Sequence, residues 1–156
     1  MSTLITLHGR KVVGGIAEGE ALVTHETISG WGGVNATTGT VIEIRHELRG
    51  QSFKDKVLVC PGAKGSSGWS NMFHLTRLMG TAPRALIFNE MTTKIALGAV
   101  VMRVPAVTEL DQDPLAIIET GDWVRVDADR GIVEIRKARR AVRPRATIAV
   151  ERTTPE

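Results

Sequence analysis

The four apolar residues Val57-Leu58-Val59-Cys60 run without a break into Pro61-Gly62-Ala63-Lys64-Gly65-Ser66-Ser67-Gly68, and a helical pattern follows. A short apolar run bounded by proline and glycine reads as a buried strand, expected over Lys56–Cys60. Trp69, Met72, Phe73, Leu75, Leu78 and Met79 then recur at helical spacing, and Gly80 and Pro83 supply the stop, so a helix is expected from about Ser67 to Met79. A strand that feeds a glycine turn and then a helix restricts the chain to folds in which sheet and helix pack as layers.

The same pattern recurs once. Ala85-Leu86-Ile87-Phe88 reads as a second short buried strand, Thr92 as the cap of a helix over Lys94 to Met102, and Pro105 as its end, with Ala106-Val107-Thr108 extended again. Strands flank this pair of units. Leu4–Leu7 and Lys11–Val13 are separated by His8-Gly9-Arg10, and Glu20–Thr24 follows Gly14, Gly15 and Gly19. A glycine-rich loop, Ser29 to Gly39, leads into a strand expected at Thr40–Ile44. At the end, Asp122–Asp127 alternates, Ala128–Gly131 turns and Ile132–Ile135 returns as a hairpin. The expected fold class is mixed α/β: a β-sandwich or barrel layer carrying two or more helices. Residues 1–136 form one domain and 137–156 a basic tail.

With 16 glycines and only 4% aromatic residues, the core must be built mainly from Val, Ile, Leu and Ala. The net charge of +3 is concentrated in Arg136, Lys137, Arg139, Arg140, Arg143 and Arg145, which leaves the body mildly acidic. No aromatic residue is interleaved with that run to stack on bases, so a solvated tail rather than a nucleic-acid partner is expected. The single cysteine, Cys60, excludes an internal disulfide and cannot by itself hold an iron–sulfur cluster. It is expected to be a small buried residue at a strand end. No stretch approaches the roughly 18 apolar residues of a membrane span, and no basic region followed by an apolar run opens the chain. A cytoplasmic location with no membrane partner is the expectation.

The chemistry concentrates in the loop after Cys60. Backbone N–H groups at a helix start are unpaired and the helix dipole adds partial positive charge, so an anion is stabilised there. Lys64 adds a full charge. A serine hydroxyl in that field has a lowered pKa and can act as a base. The structural alternative, a turn and an N-cap made by Gly65, Ser66 and Ser67, stands beside this reading. A phosphate loop requires Gly-Lys-Ser/Thr, whereas the order here is Lys64-Gly65-Ser66. Lys64 also breaks the Gly-x-Ser-x-Gly pattern of a nucleophile elbow. His8, His25, His46 and His74 have no spacing that marks a base or a metal site, and no metal-ligating residue is expected in this chain.

Ser29-Gly30-Trp31-Gly32-Gly33-Val34-Asn35 with Thr38-Gly39, then Val57-Leu58-Val59 leading into Gly62-Ala63-Lys64-Gly65-Ser66-Ser67, resemble the small subunit, or swivelling domain, of aconitase X proteins. Ala85-Leu86-Ile87, Leu97-Gly98-Ala99, Val104–Val107, Thr120-Gly121-Asp122 and Val133-Glu134-Ile135 extend the resemblance over about residues 9–136. It implies a swivelling β/β/α domain and a hydro-lyase in which the serine of the Lys-Gly-Ser motif, Ser66 here, is the proton acceptor. Lys64, Gly65, Ser67, Gly33 and Asn35 are the expected substrate-binding residues. The resemblance also implies a large-subunit partner that carries an iron or iron–sulfur centre, with no cofactor held by this chain. The substrate class is a small hydroxy acid. The first expectation is cis-3-hydroxy-L-proline; the alternative is a phosphorylated mevalonate, which calls for further basic groups near the loop, with Lys64 evident and Arg45 and Arg77 as candidates. Asn35 stands where the family often has aspartate, and Trp69 where it usually has glycine.

Two other classes compete. Swivelling domains of phosphotransfer enzymes need a histidine at the start of the helix, and His74 lies about two turns in. A non-catalytic binding or assembly module would use Ser66 only to cap the helix.

Overall fold

The computed structural model describes residues 3–65 and 68–138. An eight-stranded mixed sheet runs β1-β12-β11-β3-β7-β9-β10-β2 in space. Its strands are β1 (Leu4–His8), β2 (Arg10–Val13), β3 (Ile16–Val23), β7 (Val57–Cys60), β9 (Ala85–Phe88), β10 (Ala106–Thr108), β11 (Trp123–Asp127) and β12 (Ile132–Arg136). The short strands β4 (Ile28–Ser29), β5 (Val34–Asn35), β6 (Thr40–Val41) and β8 (Ala63–Lys64) lie outside it.

The sheet closes on itself through one residue. β1 pairs antiparallel with β12 at one edge and β2 pairs antiparallel with β10 at the other, yet only Gly9 separates β1 from β2 in the chain. A Cβ at Gly9 would lie 2.4 Å from Leu110 Cδ2 and 2.7 Å from the Thr108 carbonyl oxygen, so the corner admits only glycine. The barrel-like layer expected from the sequence is thus present, and the three-residue spacer expected between the first strands shrinks to one.

Two cores follow from the two faces of the sheet. Side chains alternate along a strand, so Val57 and Val59 join Ala85, Ile87, Val107, Val126 and Val133 inside the closed sheet. Leu58 and Cys60 point the other way, with Leu86 and Phe88, onto the helices and the 24–53 segment. β7 and β9 are buried on both faces, which is why their sequences read as continuous apolar runs rather than alternating ones. β3, β7, β9 and β10 are mutually parallel neighbours, so their C-terminal ends share one rim.

Helix α1 (Trp69–Met79) starts two residues later than expected, with Gly68 as its N-cap, and ends at Gly80 in the left-handed conformation (φ 74°). Helix α2 (Thr93–Met102) is capped by Thr92, whose hydroxyl accepts from Ile95 N–H, as the sequence indicates. A third helix, α3 (Pro114–Ile117), was not expected; Asp113 caps it and Pro114 begins it, a standard helix-start pair in only four residues. The strand expected over Thr40–Ile44 stops at Val41. Ile42 N–H still bonds to the Gly33 carbonyl, one step beyond the Val34–Val41 pair, and Ile42 and Ile44 end exposed.

The end of the domain is fastened by a buried ion pair. Lys137 Nζ lies 2.6 Å from Asp122 Oδ2 and 2.6 Å from the Ile117 carbonyl, and Asp122 Oδ1 accepts from Ala138 N–H. Lys137 and Ala138 are therefore held to the domain; residues 139–156 of the expected tail lie outside the described residues. Among the described residues, no helix is long and apolar enough to cross a membrane.

Candidate active site

The loop that leaves β7 does not run free. After Pro61 and Gly62, Ala63-Lys64 pairs in parallel with Ile28-Ser29, so Ser29 stands opposite Lys64. The two glycine-rich motifs, separated by some thirty residues in the chain, are thereby brought edge to edge. Gly65 follows at φ +98°, a conformation that favours glycine, and a Cβ there would lie 3.5 Å from Ser29 Oγ. Ser66 and Ser67, the expected proton acceptor and its neighbour, lie outside the described residues. The N-cap position of α1 is Gly68, and no side chain makes the cap hydrogen bond.

Three anchors hold β4 against this loop. The Trp69 indole N–H donates to the Ile28 carbonyl at 2.8 Å. The ring is buried and stacks on Phe73 at 4.1 Å, and Phe73 stacks on Phe53 at 5.6 Å. Upstream of β4, the Glu47 carboxylate accepts from the Thr24 hydroxyl and, at 2.6 Å, from His25 N–H. The Thr24 and His25 hydrogen bonds, with the nearby His25 and His46 rings, hold Glu47 below the usual glutamate range despite partial burial. His46 lies buried in this turn. Its Nδ1 accepts from Leu48 N–H, so Nε2 carries the proton and donates to the Thr27 carbonyl at 3.1 Å. It is a satisfied structural histidine.

The expected binding residues separate into two sets. Lys64 reaches out of the loop and pairs with Glu43, Nζ to Oε2 at 2.6 Å. Glu43 Oε1 is buried without a hydrogen-bond partner among the described residues. Gly33 closes a tight turn: a Cβ there would fall 2.2 Å from the Ser29 carbonyl oxygen. Asn35 folds its side chain onto its own loop, Oδ1 accepting from Thr37 N–H at 2.9 Å. The geometry thus gives Gly33 and Asn35 work in shaping the Ser29–Gly39 loop.

Two residues at the loop escape a reading of the sequence. Glu43 lies in a stretch patterned like a strand, where a single acid reads as a solvent-facing position. Lys94, in the first turn of α2, donates to the Gly65 carbonyl at 2.5 Å. Its only sequence signal is a lone lysine on an apolar helix, and nothing in the spacing links it to Gly65. Arg77 occupies the last turn of α1, about 12 Å of helix rise from Trp69 and the loop. Arg45 is exposed.

The residues present do not fit a metal centre. Among the described residues no group of three or more His, Cys, Asp or Glu converges. Cys60 is fully buried, and burial pushes its thiol up to about 12, partly opposed by the Gly62 N–H. It is neither a nucleophile nor a ready ligand.

Comparison with known proteins agrees with this geometry. Residues 6–135 match the family model described as the aconitase X swivel domain. The chain is 42% identical over 129 residues to the phosphomevalonate dehydratase small subunit of Thermococcus onnurineus (strain NA1), covering 83% of this chain and 97% of that protein. It is 41% identical over 129 residues to the protein of that name from Methanocella arvoryzae (strain DSM 22066 / NBRC 105507 / MRE50), with 83% and 98% covered. The crystal structure of holo-form Thermococcus kodakaraensis aconitase X superposes with a TM-score of 0.79 at 42% identity, over 84% of this chain and 98% of that one. These relatives correspond to the alternative substrate expectation and give no support to hydroxyproline. The swivelling fold, the paired glycine loops and the full-length matches together place this chain in the aconitase X swivel-domain family, as the small subunit of a hydro-lyase.

Proposed function

We propose that the chain is the small subunit of a phosphomevalonate dehydratase and that Ser66 is its proton acceptor. The observation that supports the reading is the junction at Ser29 and Lys64, which seats Lys64-Gly65, the two residues that lead into Ser66, against the second glycine loop, with the Lys94 ammonium on the Gly65 carbonyl. The names and near-complete coverage of the relatives support the substrate.

Dehydration removes a proton from one carbon and a hydroxyl from its neighbour, leaving a double bond and water. This chain's part is the proton. The Ser66 Oγ accepts it as an alkoxide, whose negative charge before the transfer is stabilised by the positive end of the α1 helix dipole. In this reading Gly65 and Ser67 bind substrate at a turn that Lys64 helps to hold, while Gly33 and Asn35 shape the opposing loop. The iron or iron–sulfur centre belongs to the large subunit in this reading, in keeping with the lack of a converging donor set among the described residues. A site built from one chain's base and another's metal is complete only in the complex.

The test is co-expression with the cognate large subunit, followed by dehydration assays on phosphomevalonate and on cis-3-hydroxy-L-proline. Turnover of phosphomevalonate by the wild-type complex, lost in Ser66→Ala while the complex still assembles, is the expected result. Unchanged turnover in Ser66→Ala rejects the serine; turnover of hydroxyproline alone rejects the substrate.

A further inference from the structure

Two lysines reach the turn that precedes Ser66, and their charges are not equivalent. Lys64 Nζ sits 2.6 Å from Glu43 Oε2, so the pair presents little net charge to an anion approaching from more than a few ångströms. Among the described residues, the one hydrogen-bond acceptor of Lys94 Nζ is neutral, the Gly65 carbonyl. None of the ion pairs among the described residues involves Lys94. A carbonyl engages one of the three N–H donors of an ammonium and cancels none of its charge. Two donors and a full positive charge therefore remain, one residue before Ser66 in the chain.

The packing of α2 explains why this lysine arrives there. Lys94 and Gly98 are four residues apart and so share a helix face. That face is pressed onto α1 at Gly98, where a Cβ would lie 2.2 Å from Cζ3 of Trp69. The absent side chain lets α2 close on the indole and carries Lys94 onto the loop. A phosphorylated substrate needs basic groups beyond Lys64; Arg77 is held at the far end of α1, whereas Lys94 is in place.

We propose that Lys94 is the anion-binding residue of this site and takes the phosphate group of the substrate, while Lys64, neutralised by Glu43, holds the shape of the loop. This deepens, and rests on, the reading of the chain as a phosphomevalonate dehydratase subunit. An ammonium with spare donors forms charge-assisted hydrogen bonds to phosphate oxygens, and a nearby compensated lysine does not compete for them.

The test uses the complex of this chain with its large subunit, as wild type, Lys94→Met and Lys94→Arg. The expected result for Lys94→Met is a rise of about tenfold or more both in KM for phosphomevalonate and in the inhibition constant of inorganic phosphate. Its kcat should stay within about threefold of wild type, and Lys94→Arg should recover most of the binding. Acetate, which carries no phosphate, should inhibit wild type and Lys94→Met alike. Unchanged KM and phosphate inhibition in Lys94→Met, or a fall in kcat at constant KM, overturns the assignment. Should the wild-type complex leave phosphomevalonate intact, the functional reading fails and Lys94 is judged separately. Inorganic phosphate is then titrated into the 15N-labelled full chain while the Gly65 amide is followed. A saturable shift that Lys94→Met abolishes supports the anion site; no shift in wild type overturns it.

Discussion

The indole of Trp69 lies directly against Gly98, so close that a Cβ at position 98 would fall 2.2 Å from Cζ3 and 2.6 Å from Cε3 of the ring. The contact joins α1 to α2 and, through the indole N–H on the Ile28 carbonyl, joins both helices to β4.

Gly98→Ala should therefore destabilise the fold even though alanine is the better helix former. Overpacking a rigid aromatic costs about 1–3 kcal/mol, against about 1 kcal/mol or less gained in helix propensity. A lower urea midpoint at unchanged slope is expected, and Trp69→Phe in the same chain should restore part of the loss. Full stability in Gly98→Ala would mean that the helices separate without cost.

Glu43→Gln should release the charge of Lys64. The Lys64 head is half exposed, so the pair itself contributes within about 1 kcal/mol and the midpoint of unfolding should barely move. Inhibition of the complex by inorganic phosphate should instead tighten, because a second uncompensated ammonium faces the turn. Weaker inhibition would show that Glu43 orients Lys64 toward the anion rather than silencing it.

Stability should fall as the solution is acidified below about pH 5. Burial alone raises the Asp122 pKa, but the hydrogen bonds from the Lys137 ammonium and from Ala138 and Glu119 N–H outweigh it and hold the carboxyl below the usual aspartate range. Glu47 is held low as well, by the Thr24 hydroxyl and His25 N–H. A carboxylate whose folded pKa is depressed contributes stability above its unfolded pKa and loses it as pH falls through the folded one. Thermal midpoints measured from pH 7 to pH 3 should decline, and Asp122→Asn should flatten that decline while lowering the midpoint at neutral pH. An equally steep decline in Asp122→Asn would remove Asp122 from the account.

Cys60 should be silent toward a thiol reagent at pH 8 in the native chain and react at once when urea unfolds it. The thiolate is the reactive form, and at a pKa of about 12 almost none is present. Prompt native-state labelling would mean that the end of β7 opens far more readily than its burial implies.

Much of this molecule was legible from local pattern. β9 could be placed to the residue and β7 to within one, because a strand buried on both faces has no polar position, and the ends of α1 and α2 were marked by Gly80 and Thr92. The terminal hairpin followed from its alternation and its Ala128–Gly131 turn. The glycine–serine turn could be singled out because a strand, a glycine run and a helix start are chemically informative in that order. Where local signals misled, a long-range partner had decided the outcome. Ile42 and Ile44 have the composition of a strand, but the pairing of β5 with β6 runs out at Gly33 and Ile42, and both isoleucines are left exposed.

What the sequence alone determined is what neighbouring residues can specify: the elements, the glycine turn that leads to Ser66 and the residue types available there. Only the tertiary structure decided which charges act together. Glu43 and Lys64 are 21 residues apart and Gly65 and Lys94 are 29 apart, and no periodicity encodes either meeting. Each depends on a packing event elsewhere, the pairing of β4 with β8 and the seating of Trp69 on Gly98. A side chain's electrostatic role is set by what stands within a few ångströms of it, and that distance is fixed by the whole core rather than by the chain on either side.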